Sequence, residues 1–326
     1  MSRVLVSGGA GYIGSHTVRL LVEAGHDVAV ADNLSTGHRE AIPADIPLMG
    51  IDLRKREPVR EAFRVFQPEA VIHFASHCYV GESVVNPRKY FEDNLGVALN
   101  LLGCMVDEGC RNIIFSSSAA TYGDPVQVPM PEEHPQDPVN PYGESKFFIE
   151  RILRRYDAAY GIRYAALRYF NAAGAHPDGT LGESHAPETH LIPLMARAAL
   201  DDAFTLTVYG DDYPTPDGTC IRDYIHILDL ADAHLRAMDW LAAEDRSLAV
   251  NLGTGSGFSV KEMVGKLESI AGRPVKRVTG PRRPGDPPSL VASGEKARSL
   301  LGWECRHSSI ETILETAWRW HLAPAF

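Results

Sequence analysis

Tyr142 and Lys146 form a pair of side chains that could move a proton. The two residues are four apart, so a helix would place them on one face. Asn140 and Pro141 before them are typical of a helix N-cap and a first-turn proline. Tyr142 would then lie in the opening turn, where the helix dipole favours a phenolate that can act as a general base. The alternative is an amphipathic helix on which Tyr142 packs and Lys146 is solvated.

Serines at the end of a predicted strand favour the catalytic interpretation. Ser116, Ser117 and Ser118 follow a β-type apolar run. Ligands of parallel sheets bind at the carboxyl ends of the strands, so Ser118 could hydrogen-bond a substrate hydroxyl. We therefore expect Ser118, Tyr142 and Lys146 to form one catalytic group.

A glycine-rich turn predicts a dinucleotide site. Gly8, Gly11 and Gly14 are spaced three apart, after the first predicted strand and at the start of the first predicted helix. Glycines there let the chain turn sharply and approach a pyrophosphate, which the helix N-terminus attracts. A tight strand-to-helix turn without a ligand is the alternative.

Asp32 indicates which dinucleotide is bound. It ends the second predicted strand, 18 residues after Gly14, where a carboxylate accepts hydrogen bonds from the adenosine ribose and repels a 2′-phosphate. The expected cofactor is therefore NAD rather than NADP. Asn33 and Ser35 could add ribose or phosphate contacts or form an ordinary polar turn, and Asp52 could reach the adenine amino group.

The charges expected around Tyr142 bear on its ionisation. The ammonium of Lys146 and the positive charge of an oxidised nicotinamide would both stabilise a phenolate. We therefore expect the pKa of the Tyr142 phenol to fall from about 10 toward neutrality.

The hydrophobic periodicity predicts an α/β fold, a Rossmann-like doubly wound parallel sheet. Apolar β-type runs alternate with segments that carry apolar residues at helical spacing. The predicted strands are Arg3–Ser7, Asp27–Asp32, Ile46–Leu53, Ala70–Ala75, Asn112–Ser116 and Tyr164–Asn171, and the predicted helices are Ile13–Ala24, Glu57–Phe66, Pro87–Glu108 and Asn140–Tyr160. We expect an NAD-binding domain over residues 1–175, which carries the catalytic group. Residues 176–326 would mainly form a smaller α/β substrate-binding lobe, with some segments returning to the first domain.

Composition excludes several classes of protein. The formal net charge of −10 argues against broad contact with nucleic acid or an anionic membrane. Five scattered cysteines without a C-x-x-C pair argue against a disulfide framework or a zinc knuckle. The N-terminus has no secretory signal pattern, and no apolar run is long enough to span a bilayer. We therefore expect a cytoplasmic protein.

Six motifs, some of which contain the residues described above, carry a resemblance to a known family. They are G-G-A-G-Y-I-G, V-G-E-S, F-S-S-S-A-A-T-Y-G, N-P-Y-G-E-S-K, R-Y-F-N-A-A-G and D-G-T-C-I-R-D-Y-I-H. Together they resemble the UDP-glucose 4-epimerases, which are extended short-chain dehydrogenase/reductases. The resemblance runs from Arg3 to about Trp320, and it implies an NAD-dependent isomerase acting on a UDP-hexose, and a homodimer.

The resemblance also implies roles for individual residues. Ser118, Tyr142 and Lys146 would be catalytic. The residues implied to bind or surround NAD are Gly8, Gly11, Tyr12, Ile13, Gly14, Asp32, Asn33, Ser35, Asp52, Leu53, Phe74, Ala75, Asn94, Ser116, Tyr142, Lys146 and Tyr169. The residues implied to bind the UDP-sugar are Ser118, Tyr142, Asn171, His190, Leu191, Arg222, Arg283, Asp286 and Leu290.

In the mechanism implied by this resemblance, Tyr142 takes the proton of the sugar 4-hydroxyl while C4 passes a hydride to NAD. Lys146 holds both the nicotinamide ribose and the phenolate. The 4-keto sugar then turns, and the hydride returns to its opposite face. Because guanidinium groups hold phosphates by paired hydrogen bonds, Arg222 and Arg283 suit a site that anchors the diphosphate and leaves the hexose free.

Two histidine-containing segments allow more than one interpretation. His77 and Cys78 stand where some relatives carry a lysine that contacts the cofactor, and a lone histidine on such a loop more often has a structural role. His185 and His190 lack a nearby cysteine or a further histidine at ligand spacing, so we expect no metal. His190 would instead lie near the substrate phosphates.

Residues near the predicted site also bear on two rival functions and on one extension of the activity. A nucleotide-sugar 4,6-dehydratase would need an acid and a base where this chain has Ala119 and Ala120. A catalytically silent NAD-binding scaffold would have no need of the serine, tyrosine and lysine together. Leu290 stands where relatives with tyrosine exclude a 2-acetamido group, so we expect additional activity on UDP-GlcNAc and UDP-GalNAc.

Overall fold

Seven parallel strands form the central sheet of the computed structural model, which describes residues 1–283 and 285–326. The strands are β1 (Arg3–Ser7), β2 (Asp27–Asp32), β3 (Leu48–Gly50), β4 (Ala70–His73), β5 (Asn112–Ser118), β6 (Arg163–Tyr169), β7 (Asn171–Ala173), β8 (Leu206–Tyr209), β9 (Ile221–Arg222), β10 (Tyr224–His226), β11 (Leu248–Leu252), β12 (Phe258–Ser259), β13 (Arg277–Gly280) and β14 (Ser289–Leu290). The helices are α1 (Tyr12–Glu23), α2 (Arg56–Phe66), α3 (Val80–Val85), α4 (Pro87–Tyr90), α5 (Gly96–Glu108), α6 (Pro141–Tyr160), α7 (Leu191–Leu200), α8 (Ile227–Glu244), α9 (Val260–Ala271), α10 (Glu295–Leu301) and α11 (Ile310–Leu322).

The strand order of the central sheet is β3-β2-β1-β4-β5-β6-β11. The chain builds outward from β1 to β3, then crosses back to place β4 on the other side of β1. Ligands of such sheets bind at this switch point, beyond the carboxyl ends of the strands. The predicted doubly wound α/β fold is confirmed.

Alternating residues of the strands supply two buried layers, one on each face of the sheet. Val4 and Val6 of β1 join the core that contains residues of α1 and α8. Leu5 joins the opposite core, which contains residues of α2, α5 and α6. The period of two follows from the pleat of a strand, whose successive side chains point to opposite faces. Helices on both faces therefore shield the sheet.

Several predicted strands are shorter in the structure, and local hydrogen bonds explain why. β3 ends at Gly50 rather than Leu53 because the Asp52 side chain accepts a hydrogen bond from Arg54 N at 3.0 Å, which turns the chain. β4 ends at His73, before the backbone N–H groups of residues 74 and 75 both donate to one β1 carbonyl. The run predicted as Tyr164–Asn171 is divided, because β7 leaves the central sheet to pair with β10.

The predicted helix Pro87–Glu108 is interrupted in its middle. It consists of α4, a π-helical segment over Phe91–Leu95, and α5. Asn94 lies in the π-helical segment and is buried. Single π turns of this kind are frequent at functional sites.

Much of the C-terminal half forms a separate core. Residues of α7, α9 and α11 pack with residues of β8 and β10. β11, by contrast, pairs with β6 at the edge of the central sheet, and α8 packs against α1. Among the described residues, no helix is both long and apolar enough to cross a membrane.

Candidate active site

The catalytic candidates come from the end of β5 and the first turns of α6. Asn140 caps α6, because its side-chain oxygen accepts a hydrogen bond from a first-turn backbone N–H at 2.9 Å, and Pro141 takes the first helical position. This cap places Tyr142 in the opening turn and Lys146 one turn later. Ser118 is the last residue of β5.

Direct contacts join α6 to the end of β5. The Lys146 ammonium donates a hydrogen bond to the backbone oxygen of Ser116 at 2.8 Å, and its Nζ lies 5.8 Å from the centroid of the Tyr142 ring. The Ser118 hydroxyl lies close to the Tyr142 phenol and acts to lower the pKa of that phenol. The structure therefore brings Ser118, Tyr142 and Lys146 together at the carboxyl edge of the sheet.

Burial shifts both titratable groups of this cluster toward their neutral forms. It lowers the pKa of Lys146 to about 8. It raises the pKa of Tyr142, against the opposing effect of the hydrogen bond from Ser118. The lowered phenol pKa expected from the sequence includes the charge of an oxidised nicotinamide; without that charge, burial dominates and the pKa is raised. A phenolate at neutral pH would require a further positive charge in front of the sheet edge.

Tyr169 and Ser116 lie next to this cluster. Tyr169 ends β6, and its phenol is hydrogen-bonded to the Ser116 side chain. Both residues are buried. They complete a polar wall formed by the ends of β5 and β6.

Glycine occupies the three positions of the loop after β1 for different structural reasons. Gly8 has a φ of +74°, and an added Cβ would lie 2.4 Å from the backbone nitrogen of Ala75. At Gly14 an added Cβ would lie 2.3 Å from a loop carbonyl oxygen. At Gly11 the nearest described atom would be 3.4 Å away. Packing therefore requires glycine at Gly8 and Gly14, whereas at Gly11 the chain itself leaves space in front of α1.

The start of α1 fits a pyrophosphate. Gly11 is the N-cap and has no side chain with which to cap the helix, so the first-turn N–H groups are available to an anion. Tyr12 and Ile13 follow in the first turn, and the Tyr12 hydroxyl donates to the backbone oxygen of Gly174 at 2.5 Å. The residues present thus match the cradle that NAD requires.

Asp32 lies at the end of β2, beside the glycine loop. Its carboxylate accepts hydrogen bonds from Ala10 N at 3.0 Å and from Leu34 N at 2.8 Å. Burial raises its pKa, and these backbone donors act in the opposite direction. Each carboxylate oxygen keeps lone pairs for a ribose hydroxyl. The exposed side chain of Asn33 accepts a hydrogen bond from Ser35 N at 3.0 Å, which forms the polar turn considered above.

The Asp52 carboxylate is hydrogen-bonded to Arg54. Its two carboxylate oxygens accept hydrogen bonds from Arg54 Nε at 2.9 Å and from a terminal Arg54 nitrogen at 3.0 Å. Arg54 also pairs with Asp93, at 3.5 Å. Leu53, between the two, is buried. To reach an adenine amino group, Asp52 would have to use its remaining lone pairs.

Asn94 fixes the loop that follows β4. Its amide accepts from His77 N at 2.8 Å, and donates to His77 O at 3.1 Å and to the Ser145 hydroxyl of α6 at 3.1 Å. Phe74 and Ala75 open this loop. The π-helical segment thus ties the switch point to the catalytic helix. The His77 ring lies 2.9 Å from Asp93, which supports a structural role for that histidine.

The candidates for the UDP part lie in the second half of the chain. Arg222, at the end of β9, pairs with Asp286. Leu290 of β14 is the register partner of Arg222. The Asn171 amide donates to the backbone oxygen of Asp223, just before β10, at 2.7 Å. The Arg283 guanidinium stacks over an aromatic ring, 4.2 Å from its centroid, and is exposed.

Glu183 and Glu188, two residues not predicted from the sequence, lie beside the predicted residue His190. His190 is the N-cap of α7, and Leu191 is its first helical residue. The His190 ring pairs with Glu183 at 2.7 Å and with Glu188 at 3.3 Å. The available signal was the pattern E-x-H-x-x-E-x-H over residues 183–190, in which carboxylates accompany both histidines.

A doubly wound sheet with a glycine-rich first turn and a Ser-Tyr-Lys cluster defines a short-chain dehydrogenase/reductase. The sequence model of the family described as "NAD dependent epimerase/dehydratase family" matches residues 4–253. The chain belongs to that family and, within it, to the UDP-glucose 4-epimerases.

Relatives and solved structures support this assignment over nearly the whole chain. A UDP-glucose 4-epimerase of Lacticaseibacillus casei is 48% identical over 318 residues, which cover 98% of this chain and 96% of the relative. The crystal structure of UDP-glucose 4-epimerase from Brucella ovis in complex with NAD is 49% identical, with a TM-score of 0.94 and 98% coverage of both chains. The structure from Bifidobacterium longum in complex with NAD⁺ and UDP is 38% identical, with a TM-score of 0.95 and full coverage of both chains.

Proposed function

We propose that the protein interconverts UDP-glucose and UDP-galactose by oxidising and re-reducing C4 of the hexose with a retained NAD. The observation that carries this proposal is the cluster of Ser118, Tyr142 and Lys146 at the sheet edge, next to a dinucleotide cradle. The similarity to UDP-glucose 4-epimerases over almost the full length of both chains supports the same activity. Ala119 and Ala120 follow Ser118 directly and cannot transfer the protons that a dehydratase needs.

Tyr142 is the group that takes and returns the proton of the 4-hydroxyl. The Ser118 hydroxyl lies close to the phenol, so it would orient the substrate hydroxyl that reacts. The buried ammonium of Lys146 is held on the Ser116 carbonyl, where it favours the phenolate over the phenol. When bound, NAD supplies the hydride acceptor, and the positive charge of its oxidised ring favours the same phenolate.

The cofactor would be held by Gly11 and the first-turn N–H groups of α1 at the pyrophosphate, and by Asp32 at the adenosine ribose. Arg222 and Arg283 would hold the substrate diphosphate. Because Arg222 pairs with Asp286, that carboxylate fixes the orientation of its guanidinium. Such a site anchors the nucleotide and leaves the hexose free to turn.

The test is to incubate the purified protein with UDP-galactose without added NAD and to quantify UDP-glucose by chromatography. We expect conversion to the equilibrium mixture, and NAD released on denaturation at about one equivalent per chain. A matched reaction with Tyr142→Phe controls for contaminating epimerase. Absence of conversion by cofactor-replete protein would refute the proposal, as would equal activity when NADP replaces NAD.

Activity on UDP-GlcNAc and UDP-GalNAc is the second part of the proposal. Leu290 is half-buried and lies beside Arg222 across two paired strands. A leucine there is shorter than a tyrosine and leaves more space for a 2-acetamido group. The measurement is kcat/KM for UDP-galactose and UDP-GalNAc. No detectable turnover of UDP-GalNAc by the native enzyme would refute this part.

A homodimer is the proposed assembly, formed by the helical face that includes α5 and α6. Both helices expose large apolar side chains, with Leu99 44% and Phe148 41% accessible. Exposed apolar groups on adjacent helices are typical of an interface. Light scattering should give twice the chain mass for the native protein and for Val65→Glu, a matched control on α2. The chain mass alone is expected for Phe148→Glu, and a dimeric Phe148→Glu would contradict the proposed face.

We also propose the division into residues 1–175 and 176–326 as the NAD-binding domain and the mainly substrate-binding lobe. The separate core formed by α7, α9 and α11 supports it.

A cytoplasmic location is proposed from the five free cysteines, the state expected in a reducing compartment.

A further inference from the structure

Four side chains between β7 and the start of α7 form a cluster in which only His190 has an implied role, near the substrate phosphates. Glu183, His185, Glu188 and His190 each offer one nitrogen or oxygen atom, and these four atoms all lie within 4.8 Å of one another. Three of the side chains are largely shielded, since Glu183, His185 and Glu188 are 7%, 14% and 16% exposed, whereas His190 is 46% exposed. Charged groups in such surroundings need partners.

One atom of this cluster lacks the partner that burial demands. His185 Nδ1 is inaccessible to water and has no hydrogen-bond partner among the described residues. It nevertheless faces both carboxylates, at 3.4 Å from Glu183 and 3.5 Å from Glu188. These separations are too long for a good hydrogen bond to either oxygen. A group placed between the atoms would account for the arrangement.

The separations match the edges of a metal coordination tetrahedron. Zinc binds histidine nitrogen and carboxylate oxygen at about 2.0–2.2 Å in tetrahedral geometry, which places neighbouring ligand atoms about 3.3–3.6 Å apart. The two His185 separations, to Glu183 Oε1 and to Glu188 Oε2, fall in that range. His190 Nδ1 lies 3.3 Å from the second oxygen of Glu188, Oε1. Its ion-pair contact with Glu183, at 2.7 Å, is shorter than such an edge and would lengthen on metal binding.

We propose that Glu183, His185, Glu188 and His190 form a binding site for one divalent transition-metal ion of the zinc type. Two carboxylates and two neutral imidazoles balance the charge of such an ion, and nitrogen and oxygen donors suit it. All four ligands come from one segment of eight residues that ends at the start of α7. The ion would therefore have a structural role, because it would order the segment that carries His190 and Leu191.

The location of the site explains what this ordering would achieve. The His185 ring packs edge-on against Tyr12 of the glycine loop, at 6.3 Å between ring centroids, and against Tyr79 of the loop after β4, at 6.4 Å. A metal that holds His185 would thus join the start of α7 to both loops at the switch point.

The test uses the full-length protein, stripped with a chelator and titrated with Co²⁺, whose visible absorption reports a tetrahedral site. We expect saturation at one Co²⁺ per chain and loss of the signal when Zn²⁺ is added. His185→Asn and Glu188→Gln should each weaken Co²⁺ binding at least about tenfold, because each removes one ligand. His26→Asn, on the far side of the fold beside the N-terminus, is the matched control and should bind as the native protein does.

A second readout does not depend on the variants. Zn²⁺ should raise the unfolding midpoint of the native protein and of His26→Asn, since a ligand that binds only the folded state stabilises it. The rival arrangement is a set of imidazolium–carboxylate ion pairs, which needs no metal. Failure of the native protein to take up Co²⁺ or Zn²⁺ would favour that arrangement and overturn the proposal. Equal uptake by His185→Asn, Glu188→Gln and the native protein would overturn it as well.

Discussion

Glu150 lies on the same face of α6 as Tyr142 and Lys146, and its substitution tests what holds this helix against the sheet. Glu150 follows Tyr142 and Lys146 at the same spacing of four, and it is 1% exposed. Its carboxylate accepts hydrogen bonds from Arg168 Nε at 2.8 Å, from a terminal Arg168 nitrogen at 2.6 Å and from the Ser117 hydroxyl at 2.6 Å. Arg168 is 2% exposed. The pair is therefore fully removed from water.

We predict that Glu150→Gln lowers the free energy of unfolding by about 3–5 kcal/mol, the usual cost of leaving one charge of a buried pair uncompensated. Glutamine keeps the shape but has one acceptor oxygen, and its amide group would face the guanidinium. The matched control is Glu92→Gln. Glu92 pairs with Arg88, but these side chains are 61% and 82% exposed, so the expected cost is about 0–1 kcal/mol.

Urea unfolding at pH 7, followed by fluorescence, compares the variants with the native protein. A loss below about 1 kcal/mol for Glu150→Gln would refute the reasoning from burial. The dependence on pH gives a second check. Burial alone would raise the pKa of Glu150, but Arg168 and Ser117 outweigh it and lower the pKa. The contribution of the Glu150 carboxylate to the free energy of unfolding is therefore complete above its unfolded pKa of about 4.3. It is lost as the pH falls through the lower pKa of the folded protein.

Three further predictions concern the site. Tyr142→Phe should lower kcat at least about a hundredfold with UDP affinity unchanged, and near-normal turnover would exclude the phenolate mechanism. Gly11→Ala should fold normally but retain less NAD on purification, because its Cβ would stay 3.4 Å from the nearest backbone atom. Gly14→Ala should lower the unfolding midpoint, because its Cβ would lie 2.3 Å from a backbone oxygen. A Gly11→Ala protein that retains as much NAD as the native protein would contradict the proposed pyrophosphate site at the start of α1. Leu290→Tyr should reduce kcat/KM for UDP-GalNAc selectively, and an equal loss for UDP-galactose would count against the proposed cavity.

Local patterns predicted much of the fold and of the catalytic cluster. The spacing of Tyr142 and Lys146 determines that they share a helix face, and Asn140 begins that helix in the structure as the cap chemistry indicates. The ends of the strands were less predictable, because they depend on contacts between distant segments. β7, for example, separates from β6 because it pairs with β10, about fifty residues later.

Other features depend on burial, which sequence patterns report poorly. The raised pKa of Tyr142 arises from the surroundings that the whole fold creates. The carboxylates Glu183 and Glu188 lie in a segment without helical or strand periodicity, so their spacing to the two histidines was visible in the sequence but not their contact in space. The π-helical turn at Asn94 likewise interrupts a run whose apolar spacing predicts one continuous helix.

The position of β11 at the edge of the central sheet has a consequence for how this chain can be divided. A fragment that ended at residue 175 would lack β11 and α8, so the backbone edge of β6 and the apolar side of α1, including Val18 and Leu21, would face water. Unprotected strand edges and apolar surfaces of this kind promote aggregation. The two proposed lobes therefore cannot be exchanged as independent modules by recombination, and a variant library should be spliced within surface loops rather than at residue 175.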